Sequence, residues 1–170
     1  MKKNILFSLL AILATALWGC SSDKDEIGSD NSDITIVSEA EMDNDVVNFF
    51  STELPKYAGA ASPGFFVGTN ENLCLVINSM DELRNAYKGK KELPAIDFGA
   101  KTLVIGQQRM EHSSYYAKKI EIHKKAGGVV LDVYVAEPDA WYNVVSNMYF
   151  WCLCSKINSR NVEANIIYNK

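Results

Sequence analysis

YAKKIEIHKKAGGVVLDVYVA, residues 116–136, is the stretch that decides the fold. In its first half Tyr116, Ile120 and Ile122 alternate with Lys119, Glu121 and His123. In its second half Val129, Leu131, Val133 and Val135 stand opposite Asp132 and Tyr134. Successive side chains of a strand point to opposite faces, so each half reads as a strand with one buried and one wet face. Ala126-Gly127-Gly128 lies between them, and glycine supplies the positive φ of a tight turn. The stretch is therefore a β-hairpin.

Working outward from the hairpin, more strands follow. Ser146 to Ile157 is apolar on both faces, with Met148, Phe150, Cys152 and Cys154 on one and Tyr149, Trp151 and Leu153 on the other. That pattern predicts a central strand covered on both sides. Val162, Ala164, Ile166 and Tyr168 alternate into a last strand. Upstream, Thr102–Gln107 and Leu73–Ile77 read as two further strands, and Ile34–Val37 as a short strand or a lead-in to the domain. Ser79-Met-Asp-Glu82 has the spacing of a capping box and starts a short helix to about Lys88, ended by Gly89, with Leu83 and Tyr87 facing inward. Ser38-Glu-Ala-Glu41 repeats that spacing and opens a helix near residues 39–54. Val46, Val47, Phe49, Phe50 and Leu54 share one of its faces, and Pro55 stops it. Residues 57–68 are small and glycine-rich and read as a loop, with Phe65 and Phe66 candidates for burial. The sum is an α+β domain over residues 34–170, one or two short helices packed on a mostly antiparallel β-sheet.

The N-terminus carries a different signal. Met1-Lys2-Lys3 is basic, Ile5 to Leu17 is apolar apart from Ser8 and Thr15, and the run closes on Leu17-Trp18-Gly19-Cys20. A basic start, an apolar run of about 13 residues and a small residue at the cleavage point read as an export signal over residues 1–19. Leu17, Gly19 and Cys20 are similar to the lipobox of bacterial lipoproteins, which predicts lipidation of Cys20 and a membrane anchor through that lipid. The alternative is an ordinary secretory signal with an incidental cysteine. The run is shorter than the ~20 residues a spanning helix needs. Ser21 to Asp33 then holds five acids, one lysine and a single apolar residue, Ile27. Such a segment buries too little to offset its ordering entropy and reads, with Cys20, as a tether over residues 20–33. Asp23-Lys24-Asp25-Glu26 resembles the acidic signals that send some lipoproteins to the cell surface. The expected location is the outer membrane, facing the periplasm or the cell exterior.

Removal of the first 19 of the 170 residues leaves 151, one domain's worth. It also removes Lys2 and Lys3, taking the net charge from −4 to −6. An acidic chain lacks the basic face that nucleic acid requires. Besides Cys20 there are three cysteines, Cys74, Cys152 and Cys154. Export permits a bridge from Cys74 to either of the others, and an odd number leaves one thiol over. No Cys-x-x-Cys is present and both histidines, His112 and His123, lie far in sequence from every cysteine, so this spacing gives no zinc site and no metal is assigned.

Residues 73 to about 157 carry a family resemblance. A strand, the helix SMDELRNAY, Leu93-Pro94-Ala95-Ile96-Asp97-Phe98, a strand, Ser114-Tyr115-Tyr116, the hairpin, a loop bearing Glu137-Pro138 and a further strand follow in order. This order resembles the C-terminal domain of the PrcB family of protease-complex proteins, in which an Asp-Phe pair precedes a strand and Gly-Tyr begins the hairpin. Asp97-Phe98 matches, and Ser114 stands where glycine is expected. The resemblance implies a small accessory domain of exported proteins, without catalytic residues.

The residues themselves offer little chemistry. Ser113 and Ser114 adjoin His112, but a triad is assembled from distant segments, not from loop neighbours. No Gly-x-Ser-x-Gly elbow and no phosphate-binding glycine loop occurs, so no catalytic residue and no cofactor is assigned. The basic loop Lys88-Gly-Lys-Lys91 reads as solvated surface. Trp141 and Tyr142, in Glu137-Pro-Asp-Ala-Trp-Tyr-Asn143, are the most suggestive pair, and Tyr115 joins them if both loops share one end of the sheet. Exposed aromatics anchor protein partners or stack on sugars; the competing reading folds them back to cap the sheet. The expectation is a non-enzymatic envelope lipoprotein that binds another protein, with a cell-surface glycan-binding module as the alternative and an enzyme with an unrecognised site as the third reading.

Overall fold

In the computed structural model, which describes residues 34–55, 64–65, 71–136 and 143–168, the hairpin consists of β3 (Tyr116–Lys125) and β4 (Gly128–Ala136). The strands pair antiparallel from Lys125 opposite Gly128 to Tyr116 opposite Ala136. Gly127 takes φ 80° in the turn, a conformation that costs glycine nothing. Val129, Leu131, Val133 and Val135 are buried, as the alternation predicts. A bulge at Lys118 shifts the register between Ala117 and Lys119. The export signal, Cys20, the acidic tether, Phe66, Trp141 and Tyr142 lie outside the described residues.

The molecule is α+β, with the strands divided between two sheets. β1 (Leu73–Ile77), β2 (Lys101–Met110) and β5 (Ser146–Ser155) form the first, in the order β1-β2-β5 and wholly antiparallel. β3, β4 and β6 (Val162–Tyr168) form the second, in the order β3-β4-β6. β3 runs beside β5 and β6 beside β1, so the sheets lie face to face and approach along two seams. The pairing is mostly antiparallel, as the sequence predicts, and the exception is the parallel pair β4–β6. β5 leaves for the other sheet between them, and the chain returns to β4 running the same way.

The place of β5 corrects an expectation. It is not the central strand: β2 is, and β5 pairs with it on one side only. Its other edge meets Ile36 in a bridge at Cys154, which gives residues 34–37 their role as a short edge segment. Both faces of β5 are nonetheless covered. Burial of a strand's faces reports how many layers stack on the sheet, not where the strand stands in the ladder.

The helices cover the far face of the first sheet. α1 (Asn44–Glu53) buries Val46, Phe49 and Phe50, with Leu54 just beyond it, and α2 (Met80–Ala86) buries Leu83. These pack with Leu103, Ile105, Tyr149 and Leu153 in one core. Phe50 stacks at 4.7 Å on Trp151, and Phe65 joins the aromatic cluster. A second core fills the space between the sheets, with Val104, Met148, Phe150, Cys152 and Cys154 facing Ile122, Leu131 and Val133.

The predicted helix over 39–54 is in fact two pieces. Glu39–Glu41 is a single 3-10 turn, Met42 is extended, and α1 starts anew behind Asp43. Glu41 accepts from the Ser38 N–H at 3.1 Å, but the Ser38 hydroxyl donates to the same carboxylate at 2.8 Å instead of capping a backbone N–H. The second box does cap, with the Glu82 N–H donating to Ser79 Oγ at 3.2 Å. The Glu82 carboxylate accepts from Arg160 at 2.5 Å and from the Asn78 N–H at 2.6 Å, and both partners hold its pKa below the usual range. α2 ends at Ala86, before Gly89, because Tyr87 turns into the core and donates from its hydroxyl to Glu53 at 2.8 Å.

The three described cysteines are free thiols. Cys74 is on β1 and the other two on β5, with β2 between. Two strand spacings are about 9.5 Å, beyond the roughly 7 Å a disulfide can bridge. Burial pushes the Cys74 thiol up to about 11 and Cys154 up to about 12, and raises Cys152 well above its ordinary value.

Candidate functional site

The register gathers strand ends from both sheets into one place. β2 ends at Met110, opposite Ser146 at the start of β5. β4 ends at Ala136, opposite Tyr116 at the start of β3, and β6 ends at Tyr168 beside Val135. Residues 111–115 join β2 to β3 across this end. The Ser146 hydroxyl donates to the His112 carbonyl at 3.1 Å, which ties that loop to β5. Tyr115 is half-buried, stacks on His112 at 6.4 Å and meets Tyr168 edge-on at 6.0 Å. Ser114 holds φ 73°, the left-handed region that favours glycine.

Val144, Val145 and Tyr168 are 59%, 56% and 52% exposed, the large hydrophobics most open to solvent among the described residues. All three lie at this end. The chain leaves β4 here at Ala136, opposite Tyr116, and is described again from Asn143, three residues ahead of β5. Both loops thus start and finish at this sheet end, and Trp141 and Tyr142 themselves lie outside the described residues. Val144 and Val145 were missed from sequence. Their signal is two adjacent β-branched residues ahead of a strand with no polar alternation between them.

A second concave feature lies at the seam between β3 and β5. It is a groove of about 360 Å³, lined by Ile36, Met42, Leu54, Lys118, Ile120 and Trp151 among others. Its walls are mixed, with Glu39 beside the lysines at the bulge.

The solvent face of the hairpin holds the third. Glu121 and Asp132 stand directly opposite each other in the β3–β4 register, and His123 is two residues from Glu121 on the same face. One ligand atom from each lies within 4.8 Å of the others. His123 Nε2 is 3.3 Å from Asp132 Oδ2 and 3.9 Å from Glu121 Oε2. Lys119 pairs with Glu121 Oε1, and the Tyr134 hydroxyl donates to Oε2 at 2.8 Å. The Lys119 ammonium, and after it the Tyr134 hydroxyl, hold the Glu121 pKa down. Asn165 Nδ2 donates to Asp132 Oδ1 at 3.0 Å. From sequence no metal is assigned and this group goes unseen, although Glu-x-His on a strand and a two-residue turn fix all three positions.

Compared with protein families, with curated proteins and with solved structures, the chain gives no match.

Proposed function

We propose that this is an exported, lipid-anchored envelope protein whose α+β domain holds another protein at the sheet end carrying Tyr115, Val144, Val145 and Tyr168. The carrying observation is the collection of exposed large hydrophobics at that one end. Solvent-facing apolar side chains scattered singly mean little, but several at one end of the two sheets, with Tyr115 edge-on to Tyr168, support an interaction surface. Trp141 and Tyr142, the pair the sequence singles out, fall in the segment between Ala136 and Asn143, outside the described residues.

The resemblance to the PrcB domain points the same way. Asp97-Phe98 stands directly ahead of β2, with Phe98 buried and Asp97 accepting from the Gly99 N–H at 3.0 Å. Ser114 has the backbone conformation that glycine favours, at the position where that family has glycine. The anchor rests on the residues before the domain: the basic start, the apolar run and Leu17-Trp18-Gly19-Cys20.

A photo-crosslinking amino acid at Tyr168 in cells tests the surface. A discrete adduct is expected that disappears with Val144→Asp plus Val145→Asp and does not form from the same probe at Glu163. Protease sensitivity of the added mass identifies a protein partner, and glycosidase sensitivity identifies a glycan and replaces this reading with the alternative one. No adduct, or equal adducts from both positions, overturns the surface. Cys20→Ala should release the chain from the membrane fraction, and unchanged fractionation rules out the lipid anchor.

A further inference from the structure

We propose that Glu121, His123 and Asp132 form a binding site for a divalent transition metal of the zinc class on the solvent face of the hairpin. Like charges directly opposite each other on one face of a strand pair repel. Glu121 and Asp132 are placed that way by the register, and Lys119 offsets one of the two charges. One ligand atom from each of the three lies within 4.8 Å of the others, with the His123–Asp132 pair at 3.3 Å and His123–Glu121 at 3.9 Å. A charge-assisted N–H···O contact closes to about 2.7–2.9 Å. His123 Nε2 stands farther than that from both carboxylates, at 3.3 and 3.9 Å. A tetrahedral zinc with bonds of about 2.0–2.1 Å keeps its ligand atoms roughly 3.3 Å apart; His123 and Asp132 already stand at that spacing, and Glu121 would close from 3.9 Å on binding.

The outer contacts orient the donors. Asn165 holds the far oxygen of Asp132, leaving Oδ2 toward His123. Lys119 and Tyr134 hold Glu121, and Oε2 keeps a lone pair for the site. Such outer partners fix ligand orientation and carry roughly 10–100-fold in metal affinity. One imidazole and two carboxylates suit zinc and its neighbours, whereas calcium and magnesium take oxygen donors alone. Three protein ligands leave the fourth position to water. The side chains are 54%, 32% and 20% exposed for His123, Glu121 and Asp132, so the ion reaches the site from solvent without any movement of the core.

The test uses the full chain, untagged and in detergent, titrated with zinc ion against a chromophoric chelator. One zinc per chain is expected. His123→Gln and Asp132→Asn should each weaken uptake by at least 10-fold, and Asn165→Ala by several-fold, while His112→Gln leaves it unchanged. Zinc should raise the melting temperature of the unsubstituted chain and not that of His123→Gln. Should His123→Gln fail to fold, Asn165→Ala decides, since it touches only the outer oxygen of Asp132. Absence of uptake, unaltered uptake in Asn165→Ala and His123→Gln, or displacement by an equal concentration of calcium overturns the site.

Discussion

Gly106 and Phe150 face each other in the β2–β5 register, and the ring of Phe150 lies across the space where a side chain at 106 would begin. A Cβ added to Gly106 would fall 1.9 Å from Phe150 Cζ. Phe150 is itself buried between the sheets and has nowhere to retreat. Gly106→Ala should therefore cost about 1–3 kcal/mol. Adding Phe150→Leu should recover part of it, a non-additivity that urea unfolding of the two single variants and the double variant measures directly.

Ser114 gives the opposite expectation. At φ 73° an ordinary residue carries strain of about 1–2 kcal/mol. Ser114→Gly should leave the melting temperature unchanged or raise it, because relief of strain offsets the entropy glycine adds to the unfolded chain. Ser114→Val should lower it. A drop with glycine larger than that with valine would mean the serine side chain, not the backbone, matters there.

The buried thiols make stability sensitive to alkali. Folding raises the Cys74 thiol to about 11 and Cys154 to about 12 from an ordinary value of 9.0, so the folded chain keeps protons that the unfolded chain gives up. Their contribution is complete below pH 9 and is lost as pH rises through 11 to 12. Melting temperatures measured from pH 8 to 11.5 should fall, and Cys154→Ala should flatten that fall. In native buffer at pH 8 all three thiols should react far more slowly with a thiol reagent than in denaturant, and reduction should change no mass.

Glu82 joins the start of α2 to the chain ahead of β6 through Asn78 and Arg160. Its pKa is lowered in the folded state, so its contribution is present above pH 4.5 and lost as pH falls below it. Glu82→Gln should cost roughly 1 kcal/mol, in the range of a lost helix cap, and the loss should shrink as the melts are repeated at progressively lower pH below 4.5. A pH-independent loss would assign the effect to packing.

Much of this was legible in the chain. Val129 to Val135 and Ile122 announced the hairpin, and Gly127 its turn, because alternation and turn chemistry are local. The partition into two sheets was not, since Tyr149 to Cys154 would look the same in a central strand or an edge strand with a layer on each side. The parallel pairing of β6 was hidden for a similar reason: nothing in Val162 to Tyr168 says which neighbour it joins. Tyr115 was found as an aromatic in a loop, and its sharing of a sheet end with Val144 and Tyr168 required the register. Glu121, His123 and Asp132 needed only the hairpin's own register and could have been read beforehand. Cysteine spacing does not lead to them, because none of the three is near a cysteine in sequence.

The parallel pairing of β4 with β6 also sets a timetable. Until residues 162–168 are present the second sheet is only a hairpin, and a lone two-stranded ribbon is marginal in water. The strand that completes it is the last of the described strands in chain order, and it follows β5 of the opposite sheet. Long-range pairings of this kind close late and slowly. The second sheet therefore closes only once β6 has found β4, after every other described strand has been made.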